Sequence, residues 1–225
     1  SQYRGISLLD SLSKLYTGAL IANIERQISK TCQGFACCFA YSKNRSTVEI
    51  VQILVNVFLV VHDWSVRLGA AIFIGDIATA FDSCPIVSCA QAMYEQGVEP
   101  ESIAAYLQQQ VELCVKVNFC GVSIDTSFVG ALTQGGRDGP NMWNFLARWL
   151  LHLIGECWRQ AGFGFPLHCH SSDIMFSHAV WSDNIIIAAK NIDELRHLVV
   201  SLTLLLQSHS LRWKASDCHC MVAGN

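Results

Sequence analysis

The sequence predicts an α+β fold, in which a mostly antiparallel sheet is backed by helices. Two kinds of pattern lead to this prediction: long segments with apolar residues at helical spacing, and short apolar or alternating runs typical of strands. The chain has 225 residues, of which 52% are hydrophobic and 15% are charged. It is therefore long enough and apolar enough to bury a sizeable core.

Six segments have the spacing of apolar residues that predicts helices. Proline favours the first turn of a helix and glycine the position just after its end, and these residues delimit the segment from Pro85 to Gly97. On the fifth helix, the apolar face is expected to include Leu153 and Cys157. The predicted helices cover residues 8–28, 47–61, 85–97 and 99–110, a stretch that includes 146–158, and a segment that starts at 193.

Strands are predicted in four regions. Ala70–Ile74 is an apolar run typical of a buried strand, and residues 111–119 alternate with period two before a turn leads to a partner strand. Phe176–Trp181 and Ile185–Ala189 flank a polar tip and predict a hairpin. A last short strand is expected near residues 211–221.

Two aspartates stand directly beyond predicted strands. Asp76 follows the apolar run Ala70–Ile74, and Asp183 lies at the tip of the predicted hairpin. If the two tips meet, their carboxylates can hold a pair of Mg²⁺ ions about 3.5–4 Å apart, an arrangement that activates a hydroxyl for attack on a phosphate. Ordinary turn aspartates would produce the same pattern, so periodicity alone leaves both interpretations open.

Six short blocks, taken in order, resemble those of the reverse transcriptases of non-LTR (LINE-like) retrotransposons, in a partly degenerate form. Each block alone is a weak match, but the series covers nearly the whole chain. The first two resemble the opening and fingers blocks of the family, and the other four resemble its motifs A to D. The blocks are Tyr3–Leu9, Ala40–Thr47, Asp76–Ser83, Thr133–Gly136, Trp181–Asn184 and Leu211–Met221.

The resemblance implies a right-hand polymerase palm with partial fingers and without a thumb. Residues 1–68 would form the partial fingers and the fingers-palm helices, and residues 69–225 the palm with motifs A to D. The implied activity is that of an RNA-directed DNA polymerase, which adds dNTPs to a primer 3′-hydroxyl with two Mg²⁺ ions, for which Mn²⁺ can substitute. An RNA template, a DNA primer and dNTP are the implied partners, and other domains of a parent polyprotein would lie outside this chain.

The resemblance assigns the catalytic metal site to a few residues. Asp76 and Asp183 would be the ligands from motifs A and C, and Ile77 would add a backbone carbonyl oxygen. Asn184 stands where the family has a second motif C aspartate. It keeps a carbonyl oxygen but removes one negative charge from a site built to hold dications.

The resemblance also assigns residues to the substrate. Phe81 would lie under the sugar, where an aromatic ring excludes a 2′-hydroxyl and thereby favours deoxynucleotides. Basic residues would contact the triphosphate or the template, and a Gln-Gly pair would frame the incoming nucleotide. These further residues are Arg4, Lys43, Arg45, Gln134 and Gly135.

Departures from the family pattern leave two alternatives open. Asn184 is one departure, and another is Asp217 near the place of the motif D lysine that acts as proton donor, with Lys214 close by but out of register. A catalytically inactive remnant that at most binds nucleic acid would accumulate such changes. An RNA-dependent RNA polymerase would also contain spaced aspartates such as Asp76 and Asp82.

Charge and cysteine content bear on the surroundings of the protein. The net charge is −3, yet residues 1–60 carry six basic and three acidic residues, which fits a phosphate-contacting lobe beside a metal-binding one. The 11 cysteines lack paired C-x-x-C spacing and no signal peptide is visible, which predicts reduced thiols in a nuclear or cytoplasmic protein. The apolar stretch Val48–Val61 is too short to cross a bilayer, so no membrane association is expected.

Overall fold

Over the described residues the fold is α+β, as predicted, with helices and antiparallel strand pairs. The chain divides into two compact units: a helical unit of residues 1–34 and 79–149, and a sheet unit of residues 35–78 and 150–225. The expected boundary between fingers and palm after residue 68 stays a prediction. The computed structural model describes residues 11–28, 38–40, 45–62, 69–111, 114–119, 122–127, 138–169 and 172–223.

All six predicted helices are present, together with one short helix and one hairpin that were not predicted. Among the described residues, no helix combines the length and the apolar composition that a bilayer crossing requires. In chain order the elements are α1 (Ser11–Ile28), α2 (Thr47–His62), β1 (Ala70–Asp76), α3 (Ala80–Ser83), α4 (Ile86–Glu95), α5 (Pro100–Val111), β2 (Cys114–Phe119), β3 (Val122–Ser127), α6 (Asp138–Gln160), β4 (Phe165–Cys169), β5 (Ser172–Phe176), β6 (His178–Trp181), β7 (Asn184–Ala189), α7 (Ile192–Ser208) and β8 (His219–Ala223).

A four-stranded antiparallel sheet forms the centre of the sheet unit. Its strands lie in the order β6-β7-β1-β8, so β1 is an inner strand with β7 on one side and β8 on the other. Ala70, Ala71 and Ile72 are all buried. Because successive residues of a strand point to opposite faces, burial of three in a row means that both faces are covered, which explains the continuous apolar run in the sequence.

Two helices pack against this sheet. α2 packs against β1 and β4, and α7 packs against β1 and β7. The first turn of α7 is capped by Asn191, whose side-chain oxygen accepts a hydrogen bond of 2.9 Å from the amide of Glu194. The buried core of the sheet unit includes Phe39, Ile50, Val57, Ala70, Ile72, Phe165, Ala179, Ile186 and Ala188.

Two strand predictions need correction. β1 extends to Asp76, so this aspartate is the last residue of the strand and does not follow it. The strand expected near residues 211–221 begins only at His219. The chain first crosses the end of β1, where Trp213 forms a bridge with Ile77, and a 3₁₀ turn over Ala215–Asp217 then delays the strand.

In the helical unit, α1 and α4 pack against α5. Gln27 Nε2 on α1 donates a hydrogen bond of 3.0 Å to Ser102 Oγ on α5. β2 and β3 form the predicted hairpin, but Val111, which was expected in the first strand, is the last residue of α5. The preceding Gln110 is buried and donates to Asp138 Oδ2 at 2.8 Å, and this contact holds the last turn of the helix.

α6 runs without a break from Asp138 to Gln160 and contributes residues to both units. The predicted apolar face is wrong at two positions, since Leu153 is 41% exposed and Cys157 is exposed as well. The N-terminal half of the helix is buried almost all round, whereas the C-terminal half is buried along a narrow stripe. Its buried side chains include Met142, Trp143, Phe145, Leu146, Trp149, Leu150, Leu151 and Trp158.

Candidate active site

The turn between β6 and β7 carries Asp183 to the end of the sheet at which β1 ends. Trp181 and Asn184 are paired residues of the two strands, so Ser182 and Asp183 form a two-residue turn. Ser182 has a φ of 57°, the left-handed conformation that tight hairpin turns require at a central position. The polar tip seen in the sequence is therefore the turn itself.

Backbone pairing brings this turn next to the last residue of β1. Asp76 is the register partner of Asn184, and the amide of Ile77 donates a hydrogen bond of 3.0 Å to the carbonyl of Asp183. The structure thus places Asp76, Ile77, Asp183 and Asn184 together at one end of the sheet. Their roles as ligands and catalytic groups stay predictions.

Asp76 is held in an unfavourable environment for a carboxylate. Its side chain is 16% exposed, and its Oδ1 atom is buried with no hydrogen-bond partner in the described part of the chain. Burial, followed by the negative charge of Asp183, raises the pKa of Asp76 above its ordinary value. A cation at this position would replace the solvation that the carboxylate has lost.

Lys214 supplies a positive charge beside Asp76. Its Nζ atom lies 3.7 Å from Asp76 Oδ2 and also forms an ion pair with Asp217. The hydrogen bond to Asp217 is the main reason why the pKa of Lys214 is raised. In the sequence, Lys214 is out of register with the motif D lysine, and nothing in the local sequence identifies its contact with Asp76.

The residues around Asp76 fit a hard divalent cation such as Mg²⁺. Within the described ranges, there is no group of three or more His, Cys, Asp or Glu residues that could hold a metal ion. Magnesium needs only one or two carboxylates from a protein, because water and substrate phosphates complete its octahedral shell. Asp76, with its unpartnered buried oxygen, and the neighbouring Asp183 provide that minimum. Magnesium itself, and the Ile77 carbonyl as a ligand, stay predictions.

Phe81 lies in the helical unit, in the single helical turn α3. Thr79 precedes this turn with a left-handed φ of 49°, and its hydroxyl oxygen lies 2.5 Å from that of Ser83. The half-buried ring of Phe81 packs against Trp143, with ring centroids 6.4 Å apart. This contact holds the ring in place, and its position under a sugar stays a prediction.

Arg45 lies in the sheet unit, just before α2. Its Nη1 atom is 2.6 Å from Glu49 Oε2, and its guanidinium carbon lies 5.4 Å from the centroid of the Phe39 ring. The hydrogen bond from Arg45 lowers the pKa of Glu49. These local contacts account for the position of Arg45, and a phosphate contact stays a prediction. The other substrate residues expected from the sequence lie outside the described residues: Arg4, Lys43, Gln134 and Gly135.

The fold of the described residues is similar to the polymerase fold of reverse transcriptases. The solved structures that the chain resembles include telomerases, which are reverse transcriptases. Apo telomerase from Candida tropicalis, truncated from its C-terminal domain, matches with a TM-score of 0.68 and 10% identity over 92% of this chain and 40% of that chain. Telomerase from Candida albicans, in complex with a TWJ fragment of telomeric RNA, matches with a TM-score of 0.67 and 9% identity over 93% of this chain and 35% of that chain.

The likeness at this low identity shows the fold. The chain spans 40% and 35% of the length of these two telomerase chains. No protein-family model matches the chain, and no curated protein matches it either.

Proposed function

We propose that this chain is the palm and part of the fingers of a non-LTR retrotransposon reverse transcriptase, which adds dNTPs to a primer 3′-hydroxyl on an RNA template. The observation that carries the proposal is the meeting of Asp76 and Asp183 at one end of the sheet. The reverse-transcriptase-like fold supports the polymerase class. The order of the six sequence blocks supports the non-LTR origin.

The contribution of the chain to this reaction is positioning and charge. Asp76 and Asp183 would hold Mg²⁺, which when bound supplies activation of the hydroxyl and neutralisation of phosphate charge. The backbone fixes both carboxylates, because Asp76 is paired with Asn184 in the sheet and the carbonyl of Asp183 accepts a hydrogen bond from Ile77. A paired strand, which carries Asp76, and a two-residue turn, which carries Asp183, hold such a geometry better than long loops do.

The proposed substrates are an RNA template, a DNA primer and dNTP. Phe81, packed against Trp143, offers an aromatic surface of the type that discriminates against a 2′-hydroxyl.

A nuclear or cytoplasmic location is part of the proposal. It rests on the spacing of the 11 cysteines in the sequence, which lacks paired C-x-x-C units.

Extension of a DNA primer on an RNA template, with Mg²⁺ or Mn²⁺, tests the proposal. Asp76→Asn and Asp183→Asn are each expected to lower the extension rate by more than about a hundredfold, because each removes a proposed metal ligand. Asp193→Asn is the matched control, since it makes the same change at a side chain that is 80% exposed on α7 and should leave the rate unchanged. Preferential incorporation of ribonucleotides would identify an RNA polymerase instead.

A second candidate is a folded remnant that binds nucleic acid without catalysis. The observation that favours it is Asn184, which stands opposite Asp76 in the sheet and carries no charge. Asn184→Asp restores the missing carboxylate. Extension by this variant alone would identify a polymerase silenced at one residue. If neither the wild type nor Asn184→Asp extends the primer, and circular dichroism shows both to be folded, the polymerase proposal is refuted.

A further inference from the structure

Lys214 is anchored by its backbone at the end of β1. Its amide donates a hydrogen bond of 2.8 Å to the carbonyl of Asp76, and its carbonyl accepts one of 2.8 Å from the amide of Asp217. The preceding residue, Trp213, forms a β-bridge with Ile77. The side chain of Lys214 therefore starts from a fixed point beside Asp76.

Trp213 holds this crossing segment against β1 and α7. Its indole N–H donates to Thr203 Oγ1 on α7 at 2.8 Å, and its ring packs edge-on against Phe73 on β1, with centroids 5.1 Å apart. The ring lies so close to the strand that a Cβ atom at Gly75 would come within 2.8 Å of it. Lys214 is thus placed by the packing of its neighbour Trp213 as well as by backbone hydrogen bonds.

The ammonium group of Lys214 lies between two carboxylates. It is 3.7 Å from Asp76 Oδ2, and its ion pair with Asp217 is the shorter of the two contacts. The N–H donors of an ammonium group use the same carboxylate lone pairs that a metal ion would use. Two cations at one carboxylate repel each other, so occupation by a metal favours departure of the ammonium group. Asp217 offers that group a partner that lies within its reach.

We propose that Lys214 is an internal cation that balances Asp76 in the metal-free protein and competes with a divalent metal for it, while Asp217 retains the displaced ammonium group. This inference rests on the proposed function, because it assigns Asp76 to a divalent metal. Lys214 and Asp217 are positioning residues in this scheme. The balance between Asp76 and Asp217 as partners of the ammonium group then sets the metal affinity of the chain.

The competition can be measured as the affinity of the full chain for Mn²⁺ in the absence of nucleotide and nucleic acid. Electron paramagnetic resonance follows the free Mn²⁺ in such a titration. Lys214→Met removes the charge but keeps an unbranched apolar stem. It is expected to tighten binding about fivefold, which is the scale of an exposed ion pair. Lys214→Arg keeps the charge and is expected to bind as weakly as the wild type.

Lys190→Met is the matched control. Lys190 is also paired with an acid, Glu194, and its side chain is 37% exposed against 41% for Lys214. Lys190 comes directly after the last residue of β7, whereas Asn184 is the first residue of that strand, so Lys190 lies at the end of β7 away from the candidate site. Its replacement is therefore expected to leave Mn²⁺ binding unchanged.

Asp217→Asn tests whether Asp217 acts through Lys214. In the wild-type background it is expected to weaken Mn²⁺ binding, since the ammonium group then turns wholly to Asp76. In the Lys214→Met background the same change should have little effect, because the group that Asp217 retains is gone. An equal weakening in both backgrounds would show that Asp217 acts independently and would overturn its assigned role.

Two further outcomes separate this inference from the proposed function. If Lys214→Met binds Mn²⁺ no more tightly than Lys190→Met does, while Asp76→Asn abolishes binding, the metal site stands and the competition is refuted. If neither Asp76→Asn nor Asp183→Asn reduces Mn²⁺ binding, the metal site is refuted, and the competition falls with it.

Discussion

At the scale of the residue, Asp76 shows a conflict between stability and chemistry. Its Oδ1 atom is buried without a hydrogen-bond partner among the described residues, and burial together with Asp183 raises its pKa. Ionisation of Asp76 at neutral pH therefore lowers the stability of the folded chain. Groups that await a ligand commonly carry such a cost.

Asp76→Asn is therefore expected to raise the melting temperature at pH 7, by roughly 1–3 °C for a chain of this size. Because the folded-state pKa of Asp76 is raised, the protonated form is stabilising, and this contribution is lost as pH rises through the folded-state pKa. The advantage of the variant should accordingly vanish near pH 3, below the ordinary carboxyl pKa. Thermal unfolding at both pH values measures the effect, with Asp193→Asn as control. A lower melting temperature at pH 7 would contradict the expected penalty.

At the scale of the element, α7 supports the candidate site by packing against the strands that lead to it. It packs against β1 and β7, the two strands that carry Asp76 and Asn184. Its Thr203 also accepts the indole hydrogen bond that holds Trp213, next to Lys214. The stability of this one helix therefore bears on the geometry of Asp76, of Asp183 in the turn before β7, and of the Lys214 ammonium group.

The cap of α7 offers a direct test at this scale. Asn191→Ala removes the side-chain oxygen that accepts from the amide of Glu194, and is expected to lower the free energy of unfolding by about 1 kcal/mol. Asn191→Ser keeps an oxygen at the same place and should lose only a fraction of that. Urea unfolding measures the difference. Equal losses in the two variants would show that the cap hydrogen bond is not responsible.

At the scale of the whole molecule, the unbroken helix α6 joins the two units. It supplies buried residues on both sides of the boundary after residue 149. If one half of this helix unfolds, the backbone groups at its middle lose their hydrogen-bond partners. We therefore expect the two units to unfold in one transition.

Buried thiols can report that transition. Cys84 and Cys89 are fully buried in the helical unit, and Cys38 is 3% exposed in the sheet unit, whereas Cys157 and Cys220 are exposed. We expect the exposed pair to be alkylated in the native protein, and the three buried thiols to react at one common urea midpoint, as read by mass spectrometry. Separate midpoints for Cys38 and for the Cys84–Cys89 pair would mean that the units unfold independently.

Local patterns were sufficient to predict much of this molecule from its sequence. α7 follows helical periodicity, α2 is strongly apolar along its length, and the β6–β7 hairpin has an apolar strand on each side of a polar tip. The β4–β5 hairpin escaped prediction because Pro166 argues against a strand. The contact of Lys214 with Asp76 depends on a crossing of the chain over the end of β1, which pairs residues far apart in sequence. No local pattern encodes such a crossing.

The two units are interleaved along the chain, which passes from one to the other after residues 34, 78 and 149. If two related genes recombine at a single point, at least one of the two units is therefore assembled from parts of both parents. Such hybrids are expected to retain a well-packed interior only when the parents are closely alike, since cores tolerate little change in volume. Exchange of one whole unit between two such proteins requires two segments to be transferred together.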